Sequence, residues 1–525
     1  MNRTSVQPSL SVPLTLAVLA AASIGLGAAR PALAGIVPIG GPERISETQA
    51  GVEPDPRLCA RPDGGFLALW RGEDPPTALQ ARLLDPSAAP SGDPILVSPA
   101  ATEALWPNLA CLADGGGLIV WAAPAAAADF SLTTILARRL GPDGVPTGDP
   151  VQVSETAGSN RTPDLSCGPA ECVVGWSRFS PEENVTVARR IALSGVPMGS
   201  EIPIGGGSPL VDPEVSVAMH PDGGFAAVSS ERGGRRLFAH RFGGPGGFLV
   251  SSFLAVETVK PEGGIYSPQM AVGAGDVFFA AWEERDPFTV GEVRGALIGP
   301  SRAKVPSFPL DDFSEYQGTE PEVAVDGFGS FLAAWRGTDA ITPDRILARG
   351  FDSAGAPTGP AVVLAHDVQG GPDSAPRPDG SFAVAWEAFD HETPGRYVAA
   401  RLARIEQPPP PPGPWLGTPE LPGFQVKVRI TAGELSIAGA LETECAAETL
   451  CASGAVPGRS EVFVRVVGPK PNGRLWPAVI KFSTSTVEVW LEQLASGEVR
   501  YYKLPGATRG VNDLPGVFDR EGFAP

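Results

Sequence analysis

Short apolar runs that end in tryptophan recur along most of the chain. They read Phe66-Leu-Ala-Leu-Trp70, Gly117-Leu-Ile-Val-Trp121, Cys172-Val-Val-Gly-Trp176, Phe225-Ala-Ala-Val-Ser229, Phe278-Phe-Ala-Ala-Trp282, Phe331-Leu-Ala-Ala-Trp335 and Phe382-Ala-Val-Ala-Trp386, spaced by 51 to 55 residues. Self-similarity at such a period marks a solenoid, propeller or array. Apart from Ser229, each run lacks polar side chains, so Phe66, Ala68 and Trp70 point one way while Leu67 and Leu69 point the other. A half-solvated strand would alternate, whereas this one expects burial on both faces.

Each unit holds three further strand candidates. The first opens at a proline: Pro56, Pro107, Pro163, Pro213, Pro268, Pro321 and Pro372. Proline is tolerated there if the strand is an edge lining a central channel. The turn into the tryptophan strand carries Asp63-Gly64, Asp114-Gly115, Asp222-Gly223, Asp326-Gly327 or Asp379-Gly380, a pair that accepts the positive φ of tight hairpins. The third strand carries Ala81-Arg82, Ala137-Arg138, Ala188-Arg189, Ala348-Arg349 or Ala400-Arg401, with Ala239-His240 in the fourth unit. The fourth strand is short, as in Asp93-Pro-Ile-Leu-Val97. The seventh unit stops after three strands. Its missing strand is predicted at the other end of the chain, where Pro42 to Thr48 matches Pro150 to Thr156. Closure of this kind removes open sheet edges, and an open solenoid is the alternative.

The combination of Pro-x-apolar-Ala, Asp-Gly-x-Phe-x-x-x-Trp and Ala-Arg resembles the repeats of secreted bacterial seven-bladed β-propeller proteins. The resemblance implies an all-β fold, a seven-bladed β-propeller over 35–405, and is nearly silent on activity. Five prolines, Pro408 to Pro412, then predict a semi-rigid spacer within 406–419, at about 3.1 Å per residue. Strand candidates from Phe424 to Tyr502 predict a small C-terminal β-sandwich over 420–525. Asn472-Gly-Arg-Leu-Trp476 and Gly497-Glu-Val-Arg-Tyr-Tyr502 resemble a C-terminal module of secreted bacterial proteins, which adds no activity.

Composition agrees with a chain that turns often: 64 glycines and 57 prolines in 525 residues. A net charge of −19 disfavours nucleic acid as a partner. The N-terminal stretch has Arg3, an apolar run from about Val12 to Ala28, and Ala32-Leu33-Ala34. That is the layout of a signal peptide over 1–34, with a retained anchor as the alternative. We therefore expect a secreted or periplasmic protein with no transmembrane segment after cleavage, in which disulfides are permitted. Cys167 and Cys172 flank a turn that lacks Asp-Gly, and Cys445 and Cys451 close a short loop; each pair is expected to bridge. Cys59 and Cys111 lie one register apart, so a bridge and two buried thiols fit equally well.

Catalytic signatures are sparse. The sialidase Asp box places Asp five before Trp, while Asp63 is seven before Trp70. His220, His240, His366 and His391 share no spacing, and no nucleophile triad or phosphate loop stands out, so no catalytic residue is assigned. The Ala-Arg series reads as structural, pairing with acids of adjoining loops. Glu73-Asp74, Glu283-Glu284 and Glu387 read as a solvated face. One set points to a ligand: the residue after each repeat proline is polar, giving Arg57, Asn108, Asp164, Glu214, Gln269, Glu322 and Asp373 at one mouth of the channel. Carboxylates gathered there would repel one another and favour a cation, with calcium at Asp164, Glu214, Glu322 and Asp373 as the candidate cofactor. The sequence thus leads us to expect an exported, non-enzymatic platform for an extracellular glycan, peptide or protein. A secreted hydrolase or lyase acting on polysaccharide is the alternative, recognisable by Asp/Glu with Arg or Tyr from several units converging in one pocket. A structural cell-surface component is a third.

Overall fold

The tryptophan strands set the architecture. In the computed structural model, residues 36–405 are described apart from short loop stretches, as are the strands within 416–518. The predicted leader, the proline run and Cys445 lie outside the described residues. Among the described residues, seven four-stranded antiparallel units succeed one another, at 57–96, 105–152, 159–206, 213–257, 264–309, 317–366 and 373–405, the last completed from the N-terminus. Each is a meander whose first strand is the proline-led one. Units two and three are joined by a single parallel pair, Ser159 with Thr133.

Burial on both faces of the tryptophan strand decides how the units meet. Phe66, Ala68 and Trp70 pack on Ala383, Ala385, Val398 and Ala400 of the seventh unit. Leu67 and Leu69 pack on Ile119 and Trp121 of the second. The same alternation links two to three, three to four, four to five, five to six and six to seven. Each tryptophan faces the preceding unit and is buried; full burial of one such side chain contributes roughly 1.5–3 kcal/mol. Seven sheets packed face to face in a closed ring make this chain a β-propeller, and each sheet a blade. The ring is closed as expected: Ile36–Arg44 pairs antiparallel with Gly395–Ile405, Ile36 opposite Ile405 and Arg44 opposite Ala399.

A repeated arginine staples neighbouring blades, though not through acids as its sequence context suggested. The Nη1 groups of Arg82, Arg138, Arg189, Arg349 and Arg401 donate to the carbonyls of Ile45, Val97, Val153, Leu310 and Leu364, at 2.6 to 3.3 Å. Each acceptor belongs to the preceding blade. Each Nε donates to a glycine carbonyl of its own outer strand: Gly92, Gly148, Gly199, Gly359 or Gly40. A guanidinium has its donors in a fixed fork, so it can span two strands where a carboxylate partner would satisfy only one. Arg189 also pairs with an acid of an adjoining loop, Glu155. Blade 4 departs from the pattern. His240 replaces the arginine and Ser229 the tryptophan, and the two hydrogen-bond at 2.8 Å.

Two expectations need correction, and one open alternative is decided. Asp326 sits two positions earlier in its turn than the other aspartates: its N–H bonds Ser330 O, and the left-handed glycine is Gly329, not Gly327. Glu283, Glu284 and Glu387 are buried rather than solvated, because Arg285, Arg294 and Arg396 neutralise them locally. Cys59 and Cys111 do bridge, from the inner strand of blade 1 to that of blade 2. Facing sheets require this parity: a residue reaching blade 2 and one reaching back to blade 1 must lie on opposite faces of their strands. Cys167–Cys172 bridges as expected, joining paired positions of one hairpin.

Residues 416–518 contribute two five-stranded sheets, one built on Phe424–Ala432 and Thr486–Gln493, the other on Ser460–Val467 and Trp476–Lys481. Val426, Val428, Val464, Val489 and Trp490 are buried there. Among the described residues no helix is long and apolar enough to cross a membrane.

Two outcomes test this account. Deleting Ile36–Arg44 should lower the melting midpoint of the ring by more than about 5 °C, at roughly 2 °C per kcal/mol for a large domain; an unchanged midpoint in calorimetry would refute closure. Arg138→Met should cost about 2 kcal/mol in denaturant unfolding, the scale of hydrogen bonds from a charged donor.

Candidate functional site

The inner strands point one end toward a central cavity of about 1000 Å³, and all seven residues that follow the repeat prolines line it. The prolines themselves are buried and the residue after each is half-buried. Local backbone explains the aim. Asp55, Trp106, Thr162, Ser267 and Glu320, each immediately before its proline, are left-handed, with φ of 46 to 52°. The strand register shifts at Leu105/Asn108, Arg161/Asp164, Tyr266/Gln269 and Thr319/Glu322. A bulge turns the chain and re-aims a side chain, so all five left-handed residues also line the cavity. In the seventh unit the position is Gly371, where an added Cβ would lie 2.6 Å from Glu320 Cβ. Non-glycine residues pay roughly 1–3 kcal/mol for such a conformation, and strain of this kind clusters at functional sites. This second ring was missed in the sequence. Its signal was the position before each proline, which carries no shared residue type.

Several of the seven stitch adjoining inner strands together. Asp373 Oδ2 accepts from Leu58 N–H at 2.5 Å, Asp164 Oδ2 from Val217 N–H at 2.7 Å and Ser216 Oγ at 2.9 Å, and Glu214 Oε2 from Ser267 N–H at 2.7 Å. Asn108 donates to Asp164 Oδ1 at 3.0 Å. Gln269 stands 3.5 Å from Ser216 Oγ. Arg57 is ion-paired with Asp55 at 2.9 Å.

Charge is gathered on one side. Blades 6, 7 and 1 supply Glu320, Glu322, Arg336, Asp373, Glu387, Arg396, Glu53, Asp55, Arg57 and Arg71 to the cavity wall. Burial pushes Glu322 well above the ordinary carboxylate range, and the charges of Asp373 and Asp164 push it further; Arg57 opposes. Burial likewise raises Asp373 to about 7 against the pull of Arg57 and the Leu58 N–H. Glu387 is raised to about 7 by burial against Arg396. Asp164 is raised by burial, opposed by its hydrogen bonds from Val217 and Ser216. Burial works against the charge of Arg57, but Asp55, Asp373, Glu322 and Asp164 outweigh it. Two like carboxylates in one buried site cannot both ionise freely, so the Glu322–Asp373 pair retains a proton near neutrality.

Asp164, Glu214, Glu322 and Asp373, where calcium is expected, all line the cavity. Among the described residues no three Asp, Glu, His or Cys side chains come together as a metal-holding group. A seven-fold ring spreads its acids round a wide cavity, and three of the four already accept main-chain N–H groups of a neighbouring blade. The histidines stand apart from the cavity wall. His240 is buried and its pKa lowered to about 4 by that burial.

No family model matches this chain, and no curated protein matches it. Among solved structures it is similar to a protein of unknown function from Dyadobacter fermentans, at 11% identity and a TM-score of 0.43 over 59% of this chain and 97% of that one. It is similar to an α-L-arabinanase from Penicillium chrysogenum solved with arabinobiose, at 11% identity and 0.39 over 72% and 99%. It also resembles an α-L-arabinofuranosidase from Fusarium graminearum, at 11% and 0.40 over 70% and 98%.

The raised pKa of Glu322 has a stability consequence. The folded state holds its proton more tightly than the unfolded chain, so this group's contribution falls as pH rises above the unfolded value. Glu322→Gln should therefore raise the melting midpoint at pH 8 and change it little at pH 4; an equal shift at both would contradict the assignment.

Proposed function

We propose that the central cavity is the site of an exported hydrolase acting on extracellular polysaccharide. The feature that carries this reading is the Glu322–Asp373 pair: two carboxylates from adjacent blades that line one cavity with Arg57, both pushed above the ordinary carboxylate range by burial. Glycoside hydrolysis needs a carboxylic acid to protonate the leaving oxygen and a second carboxylate to act as base or nucleophile. Glu322, raised by burial and by the charges of Asp373 and Asp164, serves as the acid. Asp373 feels Arg57 more strongly and serves as the ionised partner. The wall is polar and carries hydrogen-bonding groups from every blade, which suits a hydroxyl-rich ligand. The two disulfides favour an oxidising compartment. The sheets of 416–518 are an accessory attachment module in this scheme, a separate domain beyond the proline spacer.

A second reading, a non-catalytic ligand platform, is favoured by one observation: Asp373, Asp164 and Glu214 already bond main-chain N–H groups of neighbouring blades. A carboxylate used as a stitch is not free to move toward a substrate.

Release of reducing sugar from a polysaccharide panel separates the two. Hydrolysis should show a bell-shaped pH profile whose rising limb lies near 7, as Asp373 ionises, and whose falling limb marks loss of the Glu322 proton. Glu322→Gln should lower kcat at least 100-fold while leaving glycan binding within about threefold. Binding without any release by the wild type would leave the platform reading.

A further inference from the structure

Among the described residues, one cation in the cavity wall has no counter-charge. Arg57 is held by Asp55, Arg396 by Glu387 and Glu53, and Arg336 by Asp344 and Glu320. Arg71 lines the same cavity, and among the described residues its guanidinium meets no acid; its Nε is buried with no hydrogen-bond partner, and only its main-chain N–H is engaged, by Pro54 O. An arginine in a wet cavity that also offers Glu53, Asp55 and Glu387, yet pairs with none of them, is placed to meet a charge brought from outside. It follows Trp70 in the strand Phe66–Arg71, and so lies on the same face as Leu67 and Leu69, the face turned to blade 2.

Blade 2 brings Trp106 to the same cavity. Trp106 is the aromatic member of the left-handed ring, at φ 49°, and packs on the core between blades 2 and 3. For a bulky residue this backbone is costly, whereas the equivalent positions carry Asp, Thr, Ser and Glu. A planar apolar ring held rigidly at a polar mouth suits the C–H face of a pyranose.

We propose that Arg71 and Trp106 form a subsite for a uronic-acid residue, so that the polymer served by this cavity is an acidic polysaccharide. This rests on the cavity being a glycan site and adds the substrate class. The guanidinium fork takes the sugar carboxylate bidentately, which a neutral or esterified sugar cannot reproduce. The tryptophan carries the ring and contributes regardless of charge.

The test is calorimetric titration of the full chain with oligogalacturonate and alginate oligomers, each beside its methyl ester, in the wild type, Arg71→Gln, Arg71→Lys and Trp106→Phe. At least one acid oligomer should bind ten-fold or more tighter than its ester. Arg71→Gln should abolish that preference with ester affinity unchanged, Arg71→Lys should keep part of it, and Trp106→Phe should weaken acid and ester alike. Equal affinity for acid and ester in the wild type, a preference that survives Arg71→Gln, or no binding of any oligomer would overturn the subsite. Preference for acid oligomers without cleavage would sink the hydrolase reading and leave the subsite standing. Cleavage of a neutral glycan with no preference for acid would do the reverse.

Discussion

Everything in this ring depends on strands that are apolar on both faces. A sheet whose second strand reads Phe-Leu-Ala-Leu-Trp cannot expose either side, so each blade needs two neighbours. A linear array would leave its first and last blades bare, and pairing Ile36–Arg44 with Gly395–Ile405 answers that need. The arginine staples refine the same contact. They tie the third strand of one blade to the blade before it, and the carbonyls they reach belong to buried residues of that same packing. The cavity follows as what remains at the centre, and its wall is whatever the inner strands present.

Much of this was legible because repetition reports architecture directly. The tryptophan spacing, the proline-led inner strand and the split last blade could each be read from residues. So could the seven polar cavity residues, since a fixed offset from proline survives in sequence. What could not be read depended on relations between blades. Glu283 and Glu387 look solvent-facing until Arg285 and Arg396 are placed beside them. Cys59 and Cys111 look misaligned until the two sheets are set face to face. Asp326 has the Asp-Gly of its relatives and a different turn, because the hydrogen bonds choose the glycine two places further on. The division of labour among the cavity acids, some stitching strands and some holding protons, has no sequence signature at all.

Blade 4 shows how much the pattern can lose. It lacks both the tryptophan and the staple, and Ala296 stands opposite Ala280 in blade 5 where the next staple would fall. The junctions on its two sides therefore lack the arginine staple and rest on packing and on bonds such as Val217 N–H to Asp164 and Ser267 N–H to Glu214. Ser229 and His240 satisfy each other in the space, with the imidazole kept neutral by burial. A ring tolerates this because the remaining junctions fix the positions of both neighbours, so the weak blade has no alternative arrangement to adopt.

The left-handed residue before five of the inner prolines carries a different kind of consequence. Its backbone is fixed by the bulge and the proline, and its side chain owes nothing to the core of its own blade except at Trp106. Asp, Trp, Thr, Ser and Glu occupy the same conformation in five blades. Substitution there changes the lip of the cavity while leaving the packed sheets untouched. The propeller thus keeps its scaffold and its recognition surface on separate sets of positions, and a new specificity can be written one blade at a time.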